Sequence, residues 1–125
     1  MVQLRFGGNI RVEFLLDGKE SLVMAKQDTL ELEGWFERHE PDAFRTLVER
    51  YSGMVFGTCR RVLGNATDAE DVAQECFESL ARSQKPPVGY LGPWLHRVAV
   101  NKSLLRIRSE RRRKTREEQY SEKRP

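Results

Sequence analysis

AFRTLVERYSGMVFGTCRRVLGNATDAEDVAQECFESL, residues 43–80, decides the fold. Phe44, Leu47, Val48, Tyr51, Val55, Cys59 and Val62 recur at helical spacing and make one apolar stripe. Pro41, just ahead of them, suits the first turn of that helix. Gly64-Asn65 is a stop signal that ends it near Leu63. Thr67 and Glu70, three positions apart, then read as a capping box opening a second helix that runs to about Ser83. The buried side of this helix is Ala69, Val72, Ala73, Cys76, Phe77 and Leu80.

Outward from this pair the pattern stays helical. On the N-terminal side, Thr29 can cap a short helix through His39 that carries Leu32, Trp35 and Phe36 on one side. Before it, VQLRF, GGN and IRVEFLL read as two alternating segments around a turn, a β-hairpin pattern. A second reading makes Met24 the natural start and the preceding residues upstream sequence. On the C-terminal side, QKPPVGYLGP, residues 84–93, holds three prolines and two glycines and predicts a loop. Gly92-Pro93 introduces the last helix, whose apolar residues are Leu91, Trp94, Leu95, Val98, Ala99 and Leu105. Beyond about Arg111 no apolar residue appears until Tyr120, so the helix is expected to fray there. The expectation is an all-α bundle of three long helices and one short N-terminal one. It comprises an N-terminal extension of uncertain status at 1–27, a helical domain at 28–113 and a basic, frayed linker or tail at 114–125.

At 125 residues, 38% hydrophobic and 33% charged, the chain can form one domain with one modest core. The net charge of +3 hides an asymmetry. Residues 28–83 sum to −6 and residues 84–125 to +8, a division that suggests two different partners. No apolar run long enough to span a bilayer and no secretion signal appear, so a cytoplasmic protein without a membrane partner is expected. Cys59 and Cys76 both fall on apolar faces and read as buried thiols. His39 and His96 stand alone, and no phosphate loop, Ser/His/Asp set or CxxC is present. No metal site, no cofactor and no enzymatic activity are expected.

Two constellations remain. On the second long helix Asp68, Asp71, Gln74, Glu75 and Glu78 fall within about 120° of arc, with Arg82 at the end of the stripe. Such a ridge can address a basic partner helix, although a solvated face would carry the same charges. In WLHRVAVNKSLLRIRSERRRKTR, residues 94–116, nine Lys or Arg stand against one acid, Glu110. Arg97, Asn101 and Arg108 project within about 40° of one another, with Leu104 and Arg111 beside them. Two guanidiniums flanking an amide can grip phosphates and offer a base edge a donor and an acceptor. Tyr90 and Trp94 stand next to this basic run, as stacking platforms for single-stranded bases do, although Trp94 also suits the core.

The three segments AFRTLVERYSGMVFGTCRRVLGN, DAEDVAQECFESL and WLHRVAVN, with the basic run after them, resemble region two of bacterial RNA polymerase sigma factors of the extracytoplasmic-function (ECF) group. The resemblance covers roughly Pro41 to Arg113. It implies an ECF sigma region two fold and a function in transcription initiation. The helix at 67–83 would dock on the coiled coil of the β′ subunit of core RNA polymerase through Asp68, Asp71, Gln74, Glu75 and Glu78. The loop at 84–93 would capture a flipped base of the promoter minus-ten element on the non-template single strand. Lys85, Tyr90, Trp94, Arg97, Asn101, Lys102, Arg108, Arg111, Arg112 and Arg113 form the DNA-binding set, and an anti-sigma factor is a further partner to consider. Rival readings are a sigma-like interaction protein that occupies polymerase or an anti-sigma factor without opening promoters, and a general nucleic-acid-binding basic helix.

The chain departs from the family pattern in three places. Leu105 stands where the family often has Asp, the loop is richer in Pro and Gly, and Pro125 closes the sequence without the helix-turn-helix that reads the minus-thirty-five element. An excised domain, a truncated product and a stand-alone protein are all compatible with that ending. Independent promoter selection is not expected of this sequence alone.

Overall fold

Four helices follow one another along the chain in a computed structural model that describes the backbone of residues 18–123 and the side chains of residues 27–122. They are α1 (Gly18–Arg38), α2 (Pro41–Leu63), α3 (Ala66–Arg82) and α4 (Leu91–Lys123). Among the described residues there is no strand, and no helix is long and apolar enough to cross a membrane. The hairpin expected within residues 2–16 lies outside the described residues.

The first helix differs from expectation. Thr29 does not cap it; α1 begins at Gly18, and Thr29 sits in its interior. The boundary expected between residues 27 and 28 therefore falls inside a helix. The segment before Asp28 is rich in Lys, Glu, Leu, Met, Ala and Gln, whose straight side chains lose little freedom in a helix.

Helix α1 is held to α2 by polar and apolar contacts together. Asp28, only 4% exposed, accepts hydrogen bonds from the Tyr51 hydroxyl and, at 2.5 Å, from Arg50. The Arg50 guanidinium also forks onto Glu31, with Nη2 to Oε1 at 2.7 Å. Lower down, the rings of Trp35 and Phe44 meet at 4.9 Å. Gly34 allows the helices to approach, since a Cβ there would stand 2.9 Å from the Cβ of Ala43. His39 makes the corner with φ at 52°, a left-handed conformation that costs a non-glycine residue free energy.

The turn between α2 and α3 is built from Gly64-Asn65. Gly64 adopts the left-handed conformation, φ 85°, and its N–H closes onto the Arg60 carbonyl at 2.9 Å. Asn65 then caps α3, its Oδ1 accepting from the Asp68 N–H at 2.9 Å. The capping box assigned to Thr67 and Glu70 is thus corrected: the cap lies two residues earlier, because the tight Gly64 turn delivers Asn65 in extended conformation at the helix mouth.

The core sits where α2, α3 and α4 meet. Leu47, Met54, Val55, Val72, Leu80, Leu91 and Leu95 are essentially inaccessible, each worth roughly 1.5–3 kcal/mol of burial. Cys59 and Cys76 are both fully buried free thiols in the same cluster, as expected. The Cys76 thiol is pushed above its ordinary range by its hydrogen bond to Cys59 and by burial. Leu105 is 54% exposed and does not belong to this core.

Helix α4 does not fray after Arg111; it continues to Lys123 although residues 111–122 are all exposed. Packing contributes nothing there. Arg, Lys, Glu and Gln are strong helix formers, and Arg113 pairs with Glu117 one turn on, at 3.9 Å.

Candidate functional site

Two charged faces are carried by adjacent helices. On α3 the apolar back fixes the rotation of the helix, so the ridge Asp68, Asp71, Gln74, Glu75 and Glu78 is directed away from the core. Its members are not equivalent. Gln74 and Glu75 are exposed, and Glu78 is half-exposed with Arg82 at 3.4 Å. Asp68 is committed to the fold. It accepts from the Asn65 side chain at 2.9 Å and from Arg106 of α4 at 3.2 Å, and its side chain is 26% exposed. Asp71 stays open to solvent with Arg106 at 3.6 Å.

Arg106 is the residue that sequence reasoning missed. In the sequence it is one cation in a basic run. In the fold it joins α4 to α3 through Asp68 and Asp71 and holds Glu110 on its own helix at 3.2 Å. The hydrogen bond to Glu110, joined by the charges of Asp68 and Asp71, holds its guanidinium more firmly protonated than usual. Asp68 and Arg106 are 38 positions apart, and no local spacing signals their contact.

On α4 the stripe expected from helical geometry is exposed. Arg97, Asn101, Arg108, Arg111, Arg112 and Arg113 all face solvent, and Lys102 is half-buried. Among the described residues no side-chain hydrogen bond holds Asn101, so it does not cap a backbone group within the bundle. Leu104, in the middle of the stripe, is 39% exposed and supplies an apolar contact between cations.

The segment 83–90 leads into this stripe. Ser83 seals the end of α3 by donating its N–H to the Leu80 carbonyl and its hydroxyl to the Ser79 carbonyl. Gly89 turns the chain with φ at 86°. Lys85 is exposed, and Tyr90 offers its ring to solvent. Trp94 is partly buried against the core, so much of its indole belongs to packing. Lys85 and Tyr90 are thus exposed in the segment that leads into α4, and α3 packs beside that helix.

Comparison with known proteins agrees with the geometry. Residues 47–113 match the Sigma-70 region 2 family. The ECF RNA polymerase sigma factor SigW of Bacillus subtilis is 33% identical over 82 residues, covering 60% of this chain and 41% of that protein. The ECF RNA polymerase sigma factor SigG of Mycobacterium tuberculosis is 36% identical over 75 residues, covering 56% of this chain and 20% of that protein. SigE of Mycolicibacterium smegmatis, likewise an ECF RNA polymerase sigma factor, is 38% identical over 63 residues, covering 50% of this chain and 24% of its own length. The chain thus spans well under half the length of these relatives, and no solved structure matches it. The segment that matches includes the carboxylate ridge, the loop and the basic stripe together, and the chain belongs to the Sigma-70 region 2 family, alongside relatives that are sigma factors of the ECF group.

Proposed function

We propose that this chain is the part of a sigma factor that binds core RNA polymerase and holds the unpaired non-template strand of the promoter minus-ten element during transcription initiation. One observation carries the reading. A carboxylate ridge on α3 and a cationic stripe on α4 stand on neighbouring helices of one bundle, cross-linked by Arg106. The ridge suits a basic helix of the polymerase through steering and rim ion pairs. The stripe suits phosphates, and Asn101 suits a base edge. Tyr90 at the loop's end can stack on an extruded base, which offsets the few kcal/mol that unstacking costs. The domain performs no reaction of its own; the polymerase does the chemistry, in the cytoplasm.

Titration of core polymerase with the wild-type chain and with a Glu75→Lys, Glu78→Lys variant tests the first half. The variant should bind more weakly by roughly 1–3 kcal/mol with its helix content retained. Equal affinity would remove the ridge from the interface. Comparing a minus-ten-like single strand with a scrambled one tests the second half. Equal binding of the two would leave only a general basic helix.

A further inference from the structure

Arg111, Arg112, Thr115 and Arg116 line an open recess of about 390 Å³ on the exposed end of α4. Three guanidiniums therefore surround one hydroxyl. None of the three arginines makes an ion pair among the described residues, whereas Arg106 and Arg113, on the other side of the helix, pair with Glu110 and Glu117. The Arg116 side chain folds back along the helix, its Nε donating to the Arg112 carbonyl at 3.4 Å. Thr46 and Thr58, also within helices, donate their hydroxyls to the carbonyl one turn earlier, at 3.0 and 2.9 Å. The Thr115 hydroxyl makes no hydrogen bond among the described residues. Thr115 is exposed, so its Oγ1 is free to act as a nucleophile.

Thr115 also stands in line with the cationic stripe. It follows Arg97 by about five helical turns and so projects in the same direction, with Arg108, Arg111 and Arg112 between them. We propose that Thr115 is a phosphorylation site that switches off the stripe, the phosphoryl group coming from a nucleoside triphosphate through a protein kinase with an acidic substrate groove. Arg111, Arg112, Arg113 and Lys114, immediately before Thr115, are the address such a groove reads. Residues 111–122 are all exposed, so a kinase can take hold of this segment without opening the bundle. Oγ1 attacks the γ-phosphorus and a new O–P bond forms. The bond to the β,γ-bridging oxygen breaks, the hydroxyl proton passes to the kinase's base, and the nucleoside diphosphate leaves. The product carries a charge of about −1.5 to −2 and three acceptor oxygens. Arg112 and Arg111 stand one turn before it and Arg116 directly after it, against a single acid, Glu118, one turn on. The phosphate thus engages, as an internal anion, guanidiniums that would otherwise meet DNA phosphates. This rests on the DNA-binding half of the proposed function and adds its regulation.

Two measurements on the full chain test the site. In the first, a basophilic serine/threonine kinase with magnesium and adenosine triphosphate should transfer a phosphoryl group to Thr115, located by fragment-ion mass spectrometry and absent from Thr115→Val. No transfer, or transfer to Ser109 or Ser121 in place of Thr115, overturns the modification site. In the second, the chain with Thr115 phosphorylated, made by incorporating phosphothreonine during translation, is compared with the unmodified chain. Fluorescence anisotropy follows minus-ten-like and scrambled single strands over a range of salt. The magnitude of the log–log salt slope should fall by about 1.4, the increment for two phosphates on a single strand, and equally for both strands. The melting temperature should not move, since the segment lies outside the core. Phosphorylation of Thr67, at the exposed start of α3, adds the same charge and should leave the slope alone. A slope unchanged by the phosphate on Thr115, or lowered as much by the one on Thr67, overturns the switch while leaving the stripe intact. An unmodified chain that binds neither strand overturns both the switch and the reading beneath it.

Discussion

Replacing Arg106 by Gln separates the cations that build this domain from those proposed to meet DNA. The Arg106 side chain is 30% exposed, and its Asp68 partner 26%, so this pair is partly shielded and worth about 1 kcal/mol. The pairs with Glu110 and Asp71 are more exposed, at 43% and 59%, and add roughly 0.3–0.5 kcal/mol each. Loss of all three should cost about 1.5–2 kcal/mol, which lowers the melting temperature of a domain this size by roughly 6–12 °C. Urea denaturation should show a lower midpoint at constant m, and a double-mutant cycle with Asp68→Asn should return a coupling of roughly 0.5–1 kcal/mol. High salt should narrow the difference. The salt slope for single-strand binding should stay at the wild-type value, because Arg106 is turned toward α3. Arg108→Gln should behave in the opposite way, with unchanged stability and a slope smaller by about 0.7. If Arg106→Gln keeps full stability and flattens the slope, Arg106 is a strand contact and the division of cations on α4 is wrong.

Two further outcomes follow from the same geometry. Asn101→Ala should weaken a minus-ten-like single strand by roughly 1–2 kcal/mol, leave a scrambled strand nearly as before and hardly move the melting temperature, as anisotropy and thermal denaturation would show. A loss shared by both strands, with lower stability, would make Asn101 structural. Arg50→Met should destabilise by about 3 kcal/mol or more near neutral pH, because it strands the buried Asp28 carboxylate. Burial holds the Asp28 carboxyl above its ordinary value of 3.8, so its contribution to stability is complete below that value and is lost as pH rises through the raised one. Without Arg50 the carboxyl rises further, and the variant's deficit should shrink as denaturation is followed from pH 7 into acid. A deficit that is constant with pH would show that Asp28 is not the group responsible.

Helix α2, the stop at Gly64, the buried side of α3 and the exposed stripe Arg97–Asn101–Arg108 are all properties of residues within a few turns of one another. Apolar spacing, a left-handed glycine and the angle per residue specify them without reference to the rest of the chain, and so the all-α class and both charged faces are legible in the sequence. The resemblance of the same segments to sigma region two follows from those local patterns. Where local signals competed, the outcome was less predictable. Thr29 and Thr67 both carry a capping side chain, yet α1 continues through the first and Asn65 displaces the second. The tail beyond Arg111 lacks apolar residues and is still helical, because propensity and side-chain pairs act where packing is absent. Only the tertiary structure decided which charges belong to the fold. Asp68 and Arg106, and Asp28 and Arg50, come from different helices, and each meets its counterpart only when the apolar faces have closed. The strength of a charge pair depends on distance and on exclusion of water, and both are set by that closure rather than by any spacing along the chain.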